Sequence, residues 1–151
     1  MVKGGDWTGK MTKNIEVKAP PEKVFALLTD VEKLNEMAKG DVVFKQTSKG
    51  PFGLGTTLHW TTMQKMELDM EVTEFEKNKK ATISSVKGSK FKLNQTCEVE
   101  PTANGTKLTY LADYTMPYSV FGKLIDRLKV QKDMEKSIDR QLLDYKKALE
   151  T

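Results

Sequence analysis

The stretch IEVKAPPEKVFALLTDVEKL, residues 15–34, decides the fold, because it joins a strand pattern to a helix pattern. Ile15 and Val17 alternate with polar neighbours, which indicates a half-buried strand. Pro20 and Pro21 end that strand, and proline suits the first turn of a helix, where its missing N–H leaves no hydrogen bond unmade. The apolar residues that follow recur at helical spacing, so the stretch predicts a strand followed by a helix.

A second short helix is predicted directly after the first. Thr29 and Glu32 have the spacing of a capping box, in which each side chain satisfies a free backbone N–H of the other residue. We expect this helix to begin at that box and to end near Gly40, because glycine is common just beyond a helix C-terminus.

Residues 41–115 change to the period of a β-strand. Turn residues interrupt the alternation at 49–55, 64–65, 76–80, 87–90 and 101–106. The last interruption contains Asn104-Gly105, a strong hairpin signal. Six strands joined by such short connections predict an antiparallel meander.

The chain ends in a predicted long helix, from Tyr118 to Leu149. At about 1.5 Å per residue it would be roughly 48 Å long and would lie across the whole sheet. Its apolar stripe contains Leu124, Leu128, Ile138, Leu142, Tyr145 and Leu149. We expect one α+β domain over residues 1–151, in the order β-α-α-β6-α, with residues 1–10 as a flexible N-terminal segment.

Composition argues against several classes of protein. The net charge of the 151 residues is +4, but the basic residues are lysines scattered among acids, apart from Arg127 and Arg140. Nucleic-acid recognition favours clustered basic residues and arginine, so we expect no nucleic-acid partner. No apolar run is long enough to span a membrane, and the N-terminal residues lack the apolar core of a secretory signal, which predicts a cytoplasmic protein.

The glycine-rich stretch KGPFGLGTTLHW, residues 49–60, is not a phosphate-binding loop. Such a loop ends in a Lys-Ser/Thr pair that leads into a helix, because free N–H groups at the helix N-terminus hold the phosphate. Here the glycines lead into the strand pattern TTLHW, and Pro51 lacks an N–H. We interpret these glycines as a bend between the second and third strands.

The chain has one histidine and one cysteine, which excludes a zinc site of several His or Cys ligands. Strand alternation places Leu58 and Trp60 on the inner face and His59 on the opposite, solvent-facing side. Cys97 alternates with apolar residues and is predicted to be a small core residue. We therefore expect no metal site and no cofactor, and we expect neither His59 nor Cys97 to be catalytic.

The predicted inner face of the sheet is rich in methionine and aromatic residues. This composition fits either a packed core with adaptable methionine side chains or the lining of a pocket. Gln95 interrupts an apolar strand face, and Gln131 and Glu135 interrupt the apolar stripe of the last helix. Buried polar groups need partners, which favours the pocket, although Glu135 would also fit at the edge of the stripe with its carboxylate in solvent.

Several motifs resemble the START/Bet v 1-like (SRPBCC) superfamily, the helix-grip fold, and in particular its polyketide cyclase/dehydrase-like members. The matching stretches are IEVKAPPEKVFALLTDVEKL with its A-P-x-E-x-V-F and D-x-E entries to the two helices, GPFGLGTTLHW and VTEFEKNKKATI. The second helix departs from the family pattern with Leu34-Asn35 in place of a frequent tryptophan. The resemblance implies a curved antiparallel seven-stranded sheet wrapped around the long C-terminal helix, with an apolar cavity between them.

By the same resemblance, the cavity would bind or carry a small hydrophobic or amphipathic molecule of lipid, polyketide or aromatic type. The residues expected to line it are Trp60, Met70, Ile83, Phe91, Leu93, Gln95, Tyr110, Tyr114, Leu124, Leu128, Gln131 and Glu135. One alternative is a cyclase/dehydratase-type enzyme that uses Glu135 with Tyr110 or Tyr114. Another is a protein-interaction or co-chaperone-like module.

Overall fold

The structure is a computed structural model and describes residues 6–40, 42–62, 66–117 and 127–151. Its elements follow the expected order, with one strand, two short helices, six strands and a C-terminal helix. They are β1 (Asp6–Val17), α1 (Pro21–Leu28), α2 (Val31–Ala38), β2 (Val43–Gln46), β3 (Thr57–Thr61), β4 (Glu67–Glu76), β5 (Lys80–Ser85), β6 (Lys92–Thr102), β7 (Gly105–Pro117) and α3 (Arg127–Leu149).

All seven strands form one antiparallel sheet in the order β1-β7-β6-β5-β4-β3-β2. Strands β2 to β7 are a meander in which each strand pairs with the next along the chain. The first strand, β1, pairs with β7 and forms one edge of the sheet. The central strand of the seven is therefore β5. The predicted α+β class and the curved antiparallel sheet of the helix-grip fold are confirmed.

The first strand begins earlier than the sequence predicts. Residues 6–10 were expected in a flexible segment, but they pair with β7, from Asp6 opposite Pro117 to Lys10 opposite Asp113. The expectation is therefore corrected for these residues. Because β7 extends to Pro117, it offers backbone partners that the apolar alternation of β1 alone does not reveal.

The capping box expected at the start of α2 does not form. The Thr29 hydroxyl donates to the Phe25 carbonyl at 3.1 Å, because Thr29 still belongs to the end of α1. The carboxylate of Asp30 instead accepts a hydrogen bond from the Lys33 N–H at 3.1 Å and caps α2. The helix is found where it was expected, but its cap is the next residue along the chain.

The glycine-rich stretch is a bend between β2 and β3, as predicted. Gly50 and Gly55 have φ angles of +94° and +85°, which glycine adopts without strain. The Gly55 N–H donates to the Val72 carbonyl at 2.9 Å, which attaches the bend to β4. β3 begins at Thr57, so the bend leads into a strand and not into a helix.

One end of the inner face is sealed by α1, which packs against β6 and β7. Val17, Val24 and Leu108 have no accessible surface there. A bulge after Val72 turns Phe75 inward, where its ring meets Phe25 of α1 edge to face with centroids 5.5 Å apart.

The last helix runs alongside β1 and in the same direction. The Lys13 ammonium lies 3.5 Å from the Asp139 carboxylate, and the Lys18 N–H donates to the Glu150 carboxylate at 2.8 Å. Eleven residues of helix and five of strand separate these contacts, and both stretches span roughly 17 Å. Residues 118–126 of the predicted helix lie outside the described residues.

Candidate functional site

The inward side chains of the sheet form rows that cross neighbouring strands, and these rows define the candidate site. The first row is Leu58, Met70, Ser85, Leu93, Tyr114 and Gly9. The second row is Val72, Ile83, Gln95, Ala112 and Met11. The third row is Phe75, Ala81, Cys97, Tyr110 and Lys13.

The centre of this face is less tightly covered than its surroundings. In the second row, Ile83 lies on the central strand β5 and Gln95 on neighbouring β6, yet both remain partly accessible. Met70 and Val72 on the neighbouring β4 have no accessible surface. Accessible side chains in the middle of a face, with buried ones beside them, indicate space above β5 and β6.

Gln95 has the polar partner that its position requires. The Tyr110 hydroxyl donates to the Gln95 side-chain oxygen at 2.7 Å. Burial raises the pKa of Tyr110 well above its usual value, so the phenol stays neutral and remains a donor. This bond occupies the carbonyl side of the Gln95 amide and leaves its NH₂ group for another partner.

Cys97 and Tyr145 combine a buried environment with some accessible surface. Burial raises the pKa of Cys97 to about 12 and raises that of Tyr145 above its usual value. Both side chains nevertheless keep some accessible surface. This combination is what a space beside the third row and α3 would produce. The thiol is protonated at neutral pH, which agrees with the prediction that Cys97 is a core residue.

The α3 side of the site is defined over part of its length. Gln131, Glu135 and Ile138 are half-buried and Leu142 is buried, so the polar positions predicted in the apolar stripe lie at the covered side of the helix. Of the other residues expected to line a cavity, Leu124 lies outside the described residues. Leu128 lies in α3, but its side chain is outside the described part of the structure.

Tyr114 lies where β1, β7 and α3 meet. Burial raises the pKa of its phenol, and the negative charge of Glu135 raises it further. A Cβ atom at Gly9, directly across the strand pair, would overlap the Tyr114 hydroxyl oxygen. Glycine at position 9 therefore makes room for the Tyr114 ring.

Trp60 occupies the far end of the inner face, in a row with Phe44 and Leu68. Its side chain is 6% exposed and meets the Phe44 ring edge to face at 5.3 Å. Phe44 is held in turn by Asn35, whose side-chain amide forms hydrogen bonds of 2.6 and 2.7 Å with the Phe44 backbone. The buried indole N–H of Trp60 has no hydrogen-bond partner in the described part of the chain.

His59 faces away from this site, as strand alternation predicts. Its Nδ1 lies 2.8 Å from the Asp69 carboxylate and its Nε2 lies 3.4 Å from Glu67, both on β4. The hydrogen bond with Asp69 is the main reason that its pKa is raised. Among the described residues, no group of three His, Cys, Asp or Glu side chains is arranged to hold a metal ion.

Most of the residues expected to line the cavity lie on the inner face together, but sequence reasoning missed several neighbours. Lys13 belongs to the third row beside Tyr110, and the alternation of Ile15 and Val17 continued backwards would have placed it there. Gly9 and Asn35 gave no such signal, because their roles depend on contacts between distant parts of the chain.

Comparison with known proteins gives a family match over almost the whole chain. The family model described as "Polyketide cyclase / dehydrase and lipid transport" matches residues 8–150. No curated protein matches the chain by sequence. Within the described residues, no helix has both the length and the apolar composition needed to span a membrane.

Three solved structures show the same fold at low sequence identity. TTHA0849 from Thermus thermophilus has a TM-score of 0.74 at 22% identity, over 94% of this chain and 96% of its own. Ara h 8.0201 has a TM-score of 0.70 at 11% identity, over 95% and 98%. The Aha1 dimer from Colwellia psychrerythraea has a TM-score of 0.62 at 19% identity, over 94% and 96%. At these identities the likeness shows the fold alone.

Proposed function

Because this chain belongs to the polyketide cyclase/dehydrase and lipid transport family, we propose that it binds a small apolar or amphipathic molecule between the inner face of the sheet and α3. The observation that carries the proposal is the partial accessibility of Ile83, Gln95 and Cys97 at the centre of that face. A packed core would bury these central positions most completely. An apolar floor with open space above it favours a ligand site.

The chemistry of this floor suits a ligand that is mainly apolar. Burial of apolar surface contributes about 25 cal/mol per Å², so a molecule that covers the second and third rows would gain most of its affinity from this term. The NH₂ group of Gln95, held by the bond that its oxygen accepts from Tyr110, is a fixed donor for a polar end of the ligand.

The direct test places a larger side chain on the sheet side of the proposed site. Ile83→Trp adds bulk at the open centre of the inner face, whereas Asn94→Trp adds the same side chain on the exposed outer face of neighbouring β6. Anilinonaphthalenesulfonate fluorescence measures binding, and urea denaturation measures the free energy of unfolding. We expect Ile83→Trp to weaken probe binding about tenfold or more at little cost in stability, and Asn94→Trp to change neither.

A packed core makes the opposite prediction for the same two variants. Overpacking a filled core costs about 1–3 kcal/mol, so Ile83→Trp would then destabilise the protein strongly. That result, together with a wild-type protein that binds no probe, would exclude the proposed function. Native mass spectrometry of freshly purified protein adds an independent check, because a bound mass that organic extraction removes would identify the ligand.

A second candidate, a cyclase/dehydratase-type enzyme, is favoured by the proximity of Glu135 to Tyr114. Tyr110 is engaged by Gln95, so this reaction would use Tyr114 to stabilise an enolate while Glu135 transfers a proton. Glu135→Gln should abolish turnover of polyketide-like substrates and leave probe binding intact. Unchanged turnover in Glu135→Gln would rule out this use of the site.

A further inference from the structure

The indole N–H of Trp60 is a buried hydrogen-bond donor that no described part of the fold uses. The side chain is 6% exposed, and no described residue accepts its hydrogen bond. Its apolar surroundings are fixed, because Phe44 packs against the ring and Asn35 holds the Phe44 backbone. The donor has thus lost its water without gaining a partner among the residues that the structure describes.

A buried donor without a partner destabilises the folded state, and native proteins keep few of them. The position of Trp60 suggests why this one is kept. Its neighbours along the face are Leu58 and Met70 of the first row, and Met70 borders the open centre. Met66 on the same face is only partly buried, and its unbranched side chain can shift to admit a new group.

We propose that Trp60 donates its indole N–H to a hydrogen-bond acceptor on the bound molecule. This inference rests on the proposed function and narrows it to molecules with an apolar body and an acceptor oxygen, such as a ketone, ester or ether oxygen, at the β3 end. The NH₂ group of Gln95 is a second donor on the same face. The site therefore selects acceptor-bearing ligands over pure hydrocarbons of the same shape.

A matched pair of probes isolates this one hydrogen bond. Acetylnaphthalene carries a carbonyl oxygen that ethylnaphthalene lacks, and the two are otherwise similar in shape. The experiment uses the Trp7→Phe protein, in which Trp60 is the only tryptophan, so that a single indole N–H resonance follows binding by NMR. The ratio of the two affinities is then compared between Trp60 and Trp60→Phe proteins, which cancels the general effect of a smaller ring.

We expect acetylnaphthalene to shift the Trp60 N–H resonance, and the acetyl-to-ethyl affinity ratio to fall about tenfold in Trp60→Phe. If that variant does not fold, benzothienylalanine incorporated in place of tryptophan keeps the shape of the ring, replaces its N–H with sulfur and should give the same fall. An unchanged ratio or an unmoved resonance, with both probes bound, would overturn the inference and leave the proposed function standing. Failure of both probes to bind would overturn the two together.

Discussion

Beneath α1, Val17 and Leu108 have no accessible surface, whereas Ile83 and Gln95 at the centre of the same face of the sheet remain partly accessible. Both regions are built from strands with the same alternation of inward and outward residues. They differ in what covers them. α1 packs directly on β6 and β7, while α3 approaches the sheet most closely along its β1 edge.

This difference predicts that substitutions in the two regions affect different properties, stability in one and binding in the other. The sealed end packs strand, helix and bend residues into one apolar cluster. A side chain there cannot be made larger or smaller without a steric clash or a cavity. We expect the central positions to lose less if they change, because they are only partly buried. We therefore expect substitutions at the sealed end to affect mainly the free energy of unfolding, and substitutions at the centre to affect mainly binding.

The largest effect is expected for Leu108→Ala at the sealed end. Removing a fully buried leucine leaves a cavity and should reduce the free energy of unfolding by about 2–5 kcal/mol. Ile83→Ala at the centre should cost clearly less, because its side chain already borders open space. Urea denaturation of the two variants side by side measures the difference, and equal losses would show that the two regions are packed alike.

Gly9→Ala tests the edge of the central region that lies away from α1. The added methyl group would overlap the end of the Tyr114 ring, which must then move toward the centre of the inner face. We expect a loss of about 1–3 kcal/mol in the free energy of unfolding and weaker probe binding. The double variant Gly9→Ala/Tyr114→Leu removes the overlap and should recover most of the lost stability; no recovery would mean that the strain lies in the backbone of β1.

Tyr110→Phe tests the contribution of one hydrogen bond within the central region. The Gln95 oxygen loses its hydrogen bond, which should cost about 1 kcal/mol as measured by urea denaturation. The freed Gln95 amide can then turn, so probe binding should also change. Tyr110→Phe/Gln95→Leu removes both polar partners and should be close to the wild type in stability; a double variant less stable than the single one would contradict this account.

The fold was predictable because its signals are local. The proline pair at residues 20–21 and the hairpin residues 101–106 are signals in consecutive residues, and α1 and the β6–β7 hairpin formed where they indicated. The extension of β1 to Asp6 was missed because it depends on pairing with β7, which lies more than ninety residues further along the chain. The bulge after Val72 was missed for a similar reason, since it is a shift in the register of β4 against β5.

The candidate site was predictable only as a set of inward positions. Alternation alone placed Gln95 and Tyr110 on one face, and burial required a partner for the Gln95 amide without deciding which; the structure shows that Tyr110 is one. It gave no means of telling open from sealed positions, because accessibility depends on how closely each helix approaches the sheet. The Trp60 donor, which has no partner among the described residues, was equally hidden, since the partners of a buried group depend on its folded surroundings.

The smallest effect is expected for His59→Gln on the outer face. The Asp69 hydrogen bond raises the pKa of His59 above its usual value of 6.5, so the folded protein holds this proton more tightly than the unfolded chain does. The resulting stabilisation is complete below about pH 6.5 and is lost as the pH rises through the raised pKa of the folded state. Because the side chain is 32% exposed, it should amount to less than about 1 kcal/mol.

Urea denaturation of the wild type and His59→Gln at about pH 6 and about pH 8.5 measures this contribution as the part of the pH dependence that the substitution removes. Probe binding should be the same in both proteins, because His59 lies on the side of β3 opposite to Leu58 and Trp60. If His59→Gln changed probe binding, a substitution on the outer face of β3 would have altered the inner face of the same strand. The separation of stability from binding would then hold only for the strands nearer the centre of the sheet.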